Sequence, residues 1–180
     1  MSYTILGICG SLRAQSSNKQ LLLEAGKVLA PEHHFEWADL SDIPFYNPDI
    51  SEKPAAVERL LAQFANADGF VFGCTEYNYS IAPALKNALD WASRAPNNAL
   101  LAGKAVALMG AGGGMGTSRA QYHLRQVGVY LDLHFVNKPE IFVNAFGPSF
   151  SDGQLVDDKV KQLISQQMQA LIELIRTCKK

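Results

Sequence analysis

Four small polar side chains and an arginine crowd into nine residues near the start of the chain. GSLRAQSSN, Gly10 to Asn18, carries Ser11, Arg13, Ser16, Ser17 and Asn18. Hydroxyls and an amide donate hydrogen bonds, and a guanidinium offers a fixed positive fork. A helical pattern begins directly after this stretch. A helix N-terminus adds unpaired N–H groups and a partial positive charge. Together these parts make a cradle for phosphate. It is not a Walker loop, because GxxxxGK[ST] is absent, and Gly7 and Gly10 are not followed by the glycines that GxGxxG requires. A nest of hydroxyls suits a terminal monophosphate better than a bridged pyrophosphate. Ordinary N-capping accounts for one Ser or Asn, but not for four such residues and an arginine.

Two further loops are unusual in composition. CTEYNYS, Cys74 to Ser80, lies between a buried apolar run and a helical pattern. Glu76, Tyr77, Asn78, Tyr79 and Ser80 stand where a plain connector would use Gly, Pro or Asp. The tyrosines offer stacking faces, and the Asn78 side chain and neighbouring N–H groups can reach the edge of a flat heterocycle. Taken without its neighbours, the same loop has a lesser alternative reading as a decorated, solvent-facing turn. GAGGGMG, Gly110 to Gly116, misses GxGxxG because Met115 holds the last glycine's place. Gly112, Gly113 and Gly114 let backbone N–H groups approach a ligand such as the pyrimidine edge of a flavin, and the alternative is a flexible turn.

Other chemistries find little support. His33, His34, His123 and His134 lack metal-ligand spacing, and GxSxG is absent. Cys9, Cys74 and Cys178 form no CxxC pair, and the first two are expected as buried strand thiols in a reducing compartment. Trp37 and Trp91 are expected to pack, not to stack on a ligand. A formal net charge of -1 disfavours nucleic acid or anionic membrane as the partner. The N-terminus lacks a basic leader, and no run reaches the roughly 20 apolar residues of a membrane span. A soluble, cytoplasmic protein is therefore expected.

The elements that must position these loops alternate along the chain. Strands are expected at 4–9, 34–40, 69–74, 105–110 and within 134–143. Helices are expected at 18–29 (ending near Pro31), 55–67, 82–94, 118–131 and 156–178. The last carries Val160, Leu163, Ile164, Met168, Leu171, Ile172 and Ile175 on one stripe. Five strand–helix repeats predict an α/β, flavodoxin-like three-layer sandwich with a five-stranded parallel sheet of order 2-1-3-4-5. Residues 1–180 are expected to form a single flavodoxin-like domain. Ligands of such sheets bind beyond the strands' carboxyl ends, here between strands one and three. The irregular stretch 41–54 is placed to cover such a site.

These motifs resemble the NADPH-dependent FMN reductase family, and within it the quinone and chromate reductase group. The resemblance rests on GSLRAQSSN (10–18), IPFYNPD (43–49), EYNYSIAPALKNALDW (76–91), RAQYHLRQ (119–126) and NKPE (137–140). It implies non-covalent FMN, with NADPH or NADH as co-substrate. Ser11, Arg13, Ser16 and Asn18 match phosphate positions, and Glu76 to Ser80 match positions around the ribityl chain and ring. Arg119, Tyr122 and Glu140 match positions that join subunits near the active site, which implies a homodimer or homotetramer. Thr75 departs from the pattern, which has proline there, and the glycine loop is slightly short. The implied activity passes two electrons from the nicotinamide through FMN to a quinone, free flavin or similar small acceptor, ping-pong, with no side chain as acid, base or nucleophile. The alternative is a flavodoxin-type electron carrier without NAD(P)H oxidation of its own.

Overall fold

The computed structural model describes residues 1–30 and 32–179. In chain order the elements are β1 Thr4–Cys9, α1 Ser17–Leu29, β2 His34–Ala38, α2 Ala55–Asn66, β3 Gly69–Gly73, β4 Glu76–Tyr77, β5 Ser80–Ile81 and α3 Pro83–Ala92. They continue with a short 3-10 turn at Pro96–Asn98, then β6 Ala105–Gly112, α4 Ser118–Tyr130, β7 His134–Phe135, β8 Ile141–Asn144, β9 Phe150–Ser151, β10 Gln154–Leu155 and α5 Asp158–Cys178. The expected stop at Pro31 lies outside the described residues. Within them α1 closes at Ala30, whose N–H donates to the Gly26 carbonyl at 3.1 Å.

Alternation along the strands builds two cores. Leu6 and Ile8 point to one face, in register with Phe70 and Phe72 of β3, which in turn face Val106 and Leu108 of β6. That face is covered by Leu60 and Phe64 of α2, Leu85 and Leu89 of α3, and Leu124 of α4. Ile5, Val71, Ala107 and Met109 point the other way, under Leu21 and Leu22 of α1 and Ile164, Met168 and Leu171 of α5. Strands buried on both faces carry no polar alternation, which is why they read as continuous apolar runs.

The parallel sheet runs β2-β1-β3-β6, with the fifth position beyond β6. The expected order holds, but the fifth position is shared by two short strands. β7 pairs with the start of β6 and β8 with its end. Pro139 lies between them and has no N–H to give a ladder. Buried glutamines occupy the gap: the Gln167 amide donates to the Leu108 and Pro139 carbonyls at 2.9 and 2.8 Å, and Gln121 donates to the Ile141 carbonyl at 3.0 Å. The α5 stripe differs from expectation for the same reason. Leu163 is exposed, while Gln167 stands inside the seam. At roughly 100° per residue Gln167 lies about 20° from Val160 at the edge of the buried stripe, and Leu163 lies about 60° off on the same side.

Residues 41–54 follow β2 and are tied to α3. The Pro44 carbonyl accepts from the Trp91 indole N–H at 2.8 Å and from the Asn87 amide at 2.9 Å, and Asn87 in turn accepts the Tyr46 N–H. These bonds strap the stretch to α3. Trp91 is buried and packs edge-on to Tyr46, as expected of a packing residue.

Candidate functional site

At the carboxyl ends of β1, β3 and β6 the sequence-predicted loops converge. The loop after β1 starts at Gly10, whose N–H donates to the Gly73 carbonyl at 2.9 Å. Ser11 Oγ accepts the Arg13 N–H, and Ser16 Oγ caps α1 by accepting the Lys19 N–H, each at 3.3 Å. The earliest N–H groups of α1 have no intrahelical acceptor and face the loop end. The Arg13 guanidinium has no hydrogen-bond partner among the described residues.

Asn18 behaves differently from the hydroxyls beside it. Its amide donates to the Ala111 carbonyl and accepts the Ala111 N–H, both at 2.9 Å. It is 4% exposed. Its side chain was expected on a phosphate; here one amide N–H and the amide oxygen tie the loop after β1 to the glycine loop, while Asn18 still lines the cleft.

The loop after β3 is a hairpin. Tyr77 pairs with Ser80, and the two turn residues, Asn78 and Tyr79, have φ of 50° and 66°. Such a two-residue turn matches the twist of its strands. Asn tolerates the left-handed region, whereas Tyr79 is held there at a cost of about 1–3 kcal/mol. The Arg119 guanidinium lies 4.0 Å from the centre of the Tyr79 ring and offsets part of that cost. Glu76 Oε2 accepts the Ala120 N–H at 3.0 Å, and Oε1 lies 3.8 Å from Arg119 Nη1. No side chain caps α4 from Thr117. Glu76 therefore supplies the negative charge that a helix N-terminus favours. Ser80 Oγ meets His123 Nδ1 at 3.1 Å. Glu76 and Ser80 thus clamp the hairpin to α4.

The glycine loop closes on itself, with the Gly116 N–H on the Gly113 carbonyl at 2.8 Å. Gly116 has φ +59°, and a Cβ there would meet the Phe142 backbone at 2.9 Å, so only glycine fits. A Cβ on Gly113 would meet open space. The Ala145 N–H donates to the Gly112 carbonyl at 2.7 Å, which brings Phe146, 89% exposed, to the rim.

The resulting cleft has a volume of about 230 Å³. Ser11, Arg13, Ser16, Ser17 and Asn18 line one side; Thr75, Glu76 and Tyr77 line another; Ala111, Gly112, Gly113, Ala145 and Phe146 complete it. Asn78, Tyr79, Ser80 and Gly114 do not line it. Ala145 and Phe146 carry no sequence signal: NAFGPSF reads as an ordinary turn, and only the β6–β8 pairing brings it here. Burial pushes the Cys74 thiol up to about 12, with the Glu76 charge adding to the rise, and burial also raises Cys9. Burial thus favours the protonated, poorly nucleophilic form of both thiols.

Arg119 and Glu140, two of the residues expected to join subunits, have separate partners within one chain. Arg119 is engaged with Glu76 and Tyr79, Glu140 pairs with Lys138 at 2.7 Å, and Tyr122 is 60% exposed. Arg125 is also committed, donating to the Val136 carbonyl at 3.1 Å and to Asn137 Oδ1 at 3.2 Å.

The sequence pattern of the NADPH-dependent FMN reductase family matches residues 3–148. An NAD(P)H-dependent FMN reductase of Pseudomonas aeruginosa is 49% identical over 171 residues, covering 93% of this chain and 92% of its own. An NAD(P)H:quinone oxidoreductase of Solanum tuberosum is 48% identical, with 93% and 90% covered. The structure of a flavoenzyme NAD(P)H:(acceptor) oxidoreductase from Paracoccus denitrificans superimposes with a TM-score of 0.87 at 26% identity, covering 97% of this chain and 98% of its own.

Proposed function

The chain belongs to the NADPH-dependent FMN reductase family, and from that premise we propose how its cleft works. The protein is an FMN-dependent NAD(P)H oxidoreductase whose acceptor is a quinone or a similar small molecule. We take residues 1–180 as one FMN-binding domain. The observation that carries the reading is the meeting of phosphate-type donors with a glycine-walled, aromatic-rimmed cleft at the point where strand order reverses. The donor set fits FMN: hydroxyls and a guanidinium at a helix N-terminus match a monophosphate. Glycine backbone and the rings of Tyr77 and Phe146 match a flat heterocycle.

FMN bound there supplies two-electron chemistry between a reduced nicotinamide and the acceptor. The chain's part is to bind, orient and shield. Ser11, Arg13, Ser16 and Ser17 would hold the phosphate, together with the first N–H groups of α1. Asn18 holds Ala111, and so sets Gly112 and Gly113 against that loop. Glu76 and Ser80 fix the hairpin on α4, which sets Tyr77 at the wall. No side chain is assigned as acid, base or nucleophile. With one open side, nicotinamide and acceptor would use the same space in turn. Steady-state kinetics with added FMN, varying NADPH or NADH against benzoquinone, should give parallel double-reciprocal lines. Intersecting lines would reject the shared space.

A homodimer or homotetramer is the assembly we propose. The support is the outer face of α4, where Tyr122 and Tyr130 are 60% and 79% exposed beside Val129. Aromatic residues on one face mark association surfaces. Glu140 would exchange Lys138 for Arg119 of a second copy. Light scattering at micromolar concentration should show at least a dimer, and Glu140→Ala should shift it toward smaller species; a wild-type monomer would reject the assembly. Among the described residues no helix is long and apolar enough to cross a membrane. The free thiols of Cys9, Cys74 and Cys178 support a cytoplasmic location.

A further inference from the structure

Thr75 is 6% exposed, lines the cleft, and has a hydroxyl with no hydrogen-bond partner. Its backbone is fully used. The N–H donates to the Gly73 carbonyl at 3.0 Å, and the carbonyl accepts the Ala82 N–H at 3.1 Å. The residue is therefore pinned on both sides, and its side chain is carried into the cleft by a fixed backbone. Among the described residues three other buried side-chain atoms lack a partner: Gln63 Oε1, Asn98 Oδ1 and Gln167 Oε1. Each belongs to an amide whose nitrogen is already bonded, to Glu36 and Trp37, to Leu131, and to Leu108 and Pro139 respectively. None of those three residues lines the cleft. Thr75 alone in this set makes no side-chain hydrogen bond at all.

A buried hydroxyl without a partner carries its desolvation cost with no return. Valine would fill the same volume without that cost. We infer that the Thr75 hydroxyl is a hydrogen-bonding contact for the FMN bound in this cleft. The inference rests on the FMN reading above.

The test is an equilibrium titration of FMN into ligand-free wild type, Thr75→Val and Thr75→Ser, followed by flavin fluorescence, with the thermal midpoint of each ligand-free protein. Thr75→Val should bind FMN about tenfold more weakly, as expected when a ligand's polar group loses a buried partner. Thr75→Ser, which keeps the hydroxyl, should stay close to wild type. Ligand-free Thr75→Val should melt at or above the wild-type temperature, because a partnerless hydroxyl has been removed. Thr75→Val binding FMN as tightly as wild type would overturn the inference. So would a lowered midpoint of ligand-free Thr75→Val, which would assign the hydroxyl to the fold. A wild type that fails to bind FMN would instead bring down the reading beneath it, and is seen separately in the same experiment.

Discussion

Arg13→Ala is expected to weaken FMN binding by about tenfold to a hundredfold while leaving riboflavin binding unchanged. The two ligands differ by a phosphate, so only a residue that meets the phosphate separates them. A charge-assisted hydrogen bond contributes about 1.5–3 kcal/mol, and each 1.4 kcal/mol or so is a factor of ten in affinity. Arg13 is exposed, and its guanidinium has no partner among the described residues, so its removal should not disturb the fold. The Arg13 N–H on Ser11 Oγ is a backbone bond and survives the substitution. The difference from wild type should shrink as salt is raised, because an exposed charge is screened. Titration of both flavins into both proteins measures the effect. An unchanged FMN dissociation constant would show that the guanidinium points away from the phosphate.

Asn18→Ala should have a different signature and a larger effect on stability. Its amide exchanges two hydrogen bonds with Ala111 in the buried interior. Alanine would leave a buried N–H and a buried carbonyl without partners, at about 1–3 kcal/mol each. The expected loss is therefore about 2–6 kcal/mol, read as a lower denaturant midpoint with an unchanged slope. The same substitution frees the glycine loop from α1, so FMN and riboflavin should both bind more weakly. A phosphate-only role would weaken FMN alone and spare stability, which is the result that would contradict the brace.

The two substitutions show what the sequence made legible. Strand and helix positions and the sheet order were readable, because β1, β3 and β6 are apolar on both faces and each run ends at a turn signal. The polar richness of the loops was readable as a site. The destination of each side chain was not. Asn18 finds its partner 93 residues away, Glu76 finds the α4 N-terminus 44 residues away, and Ser80 finds His123 43 residues away. Residue type states which bonds a side chain can make, whereas the packing of distant elements decides which it does make. Phe146 was invisible for the same reason, since it reaches the rim only through the pairing of β8 with β6. The split of the fifth strand depended on Gln167 and Gln121, whose amides look from sequence like surface residues of their helices.

The most direct measurement is a single turnover on the FMN-loaded protein without oxygen. NADPH or NADH is added first and benzoquinone second, while the flavin absorbance is followed. The expected result is loss of the yellow absorbance with at least one nicotinamide and its full return with the quinone, one quinone reduced for each nicotinamide oxidised. A bound flavin that neither nicotinamide bleaches would contradict the assignment and leave a carrier that must receive its electrons from another protein.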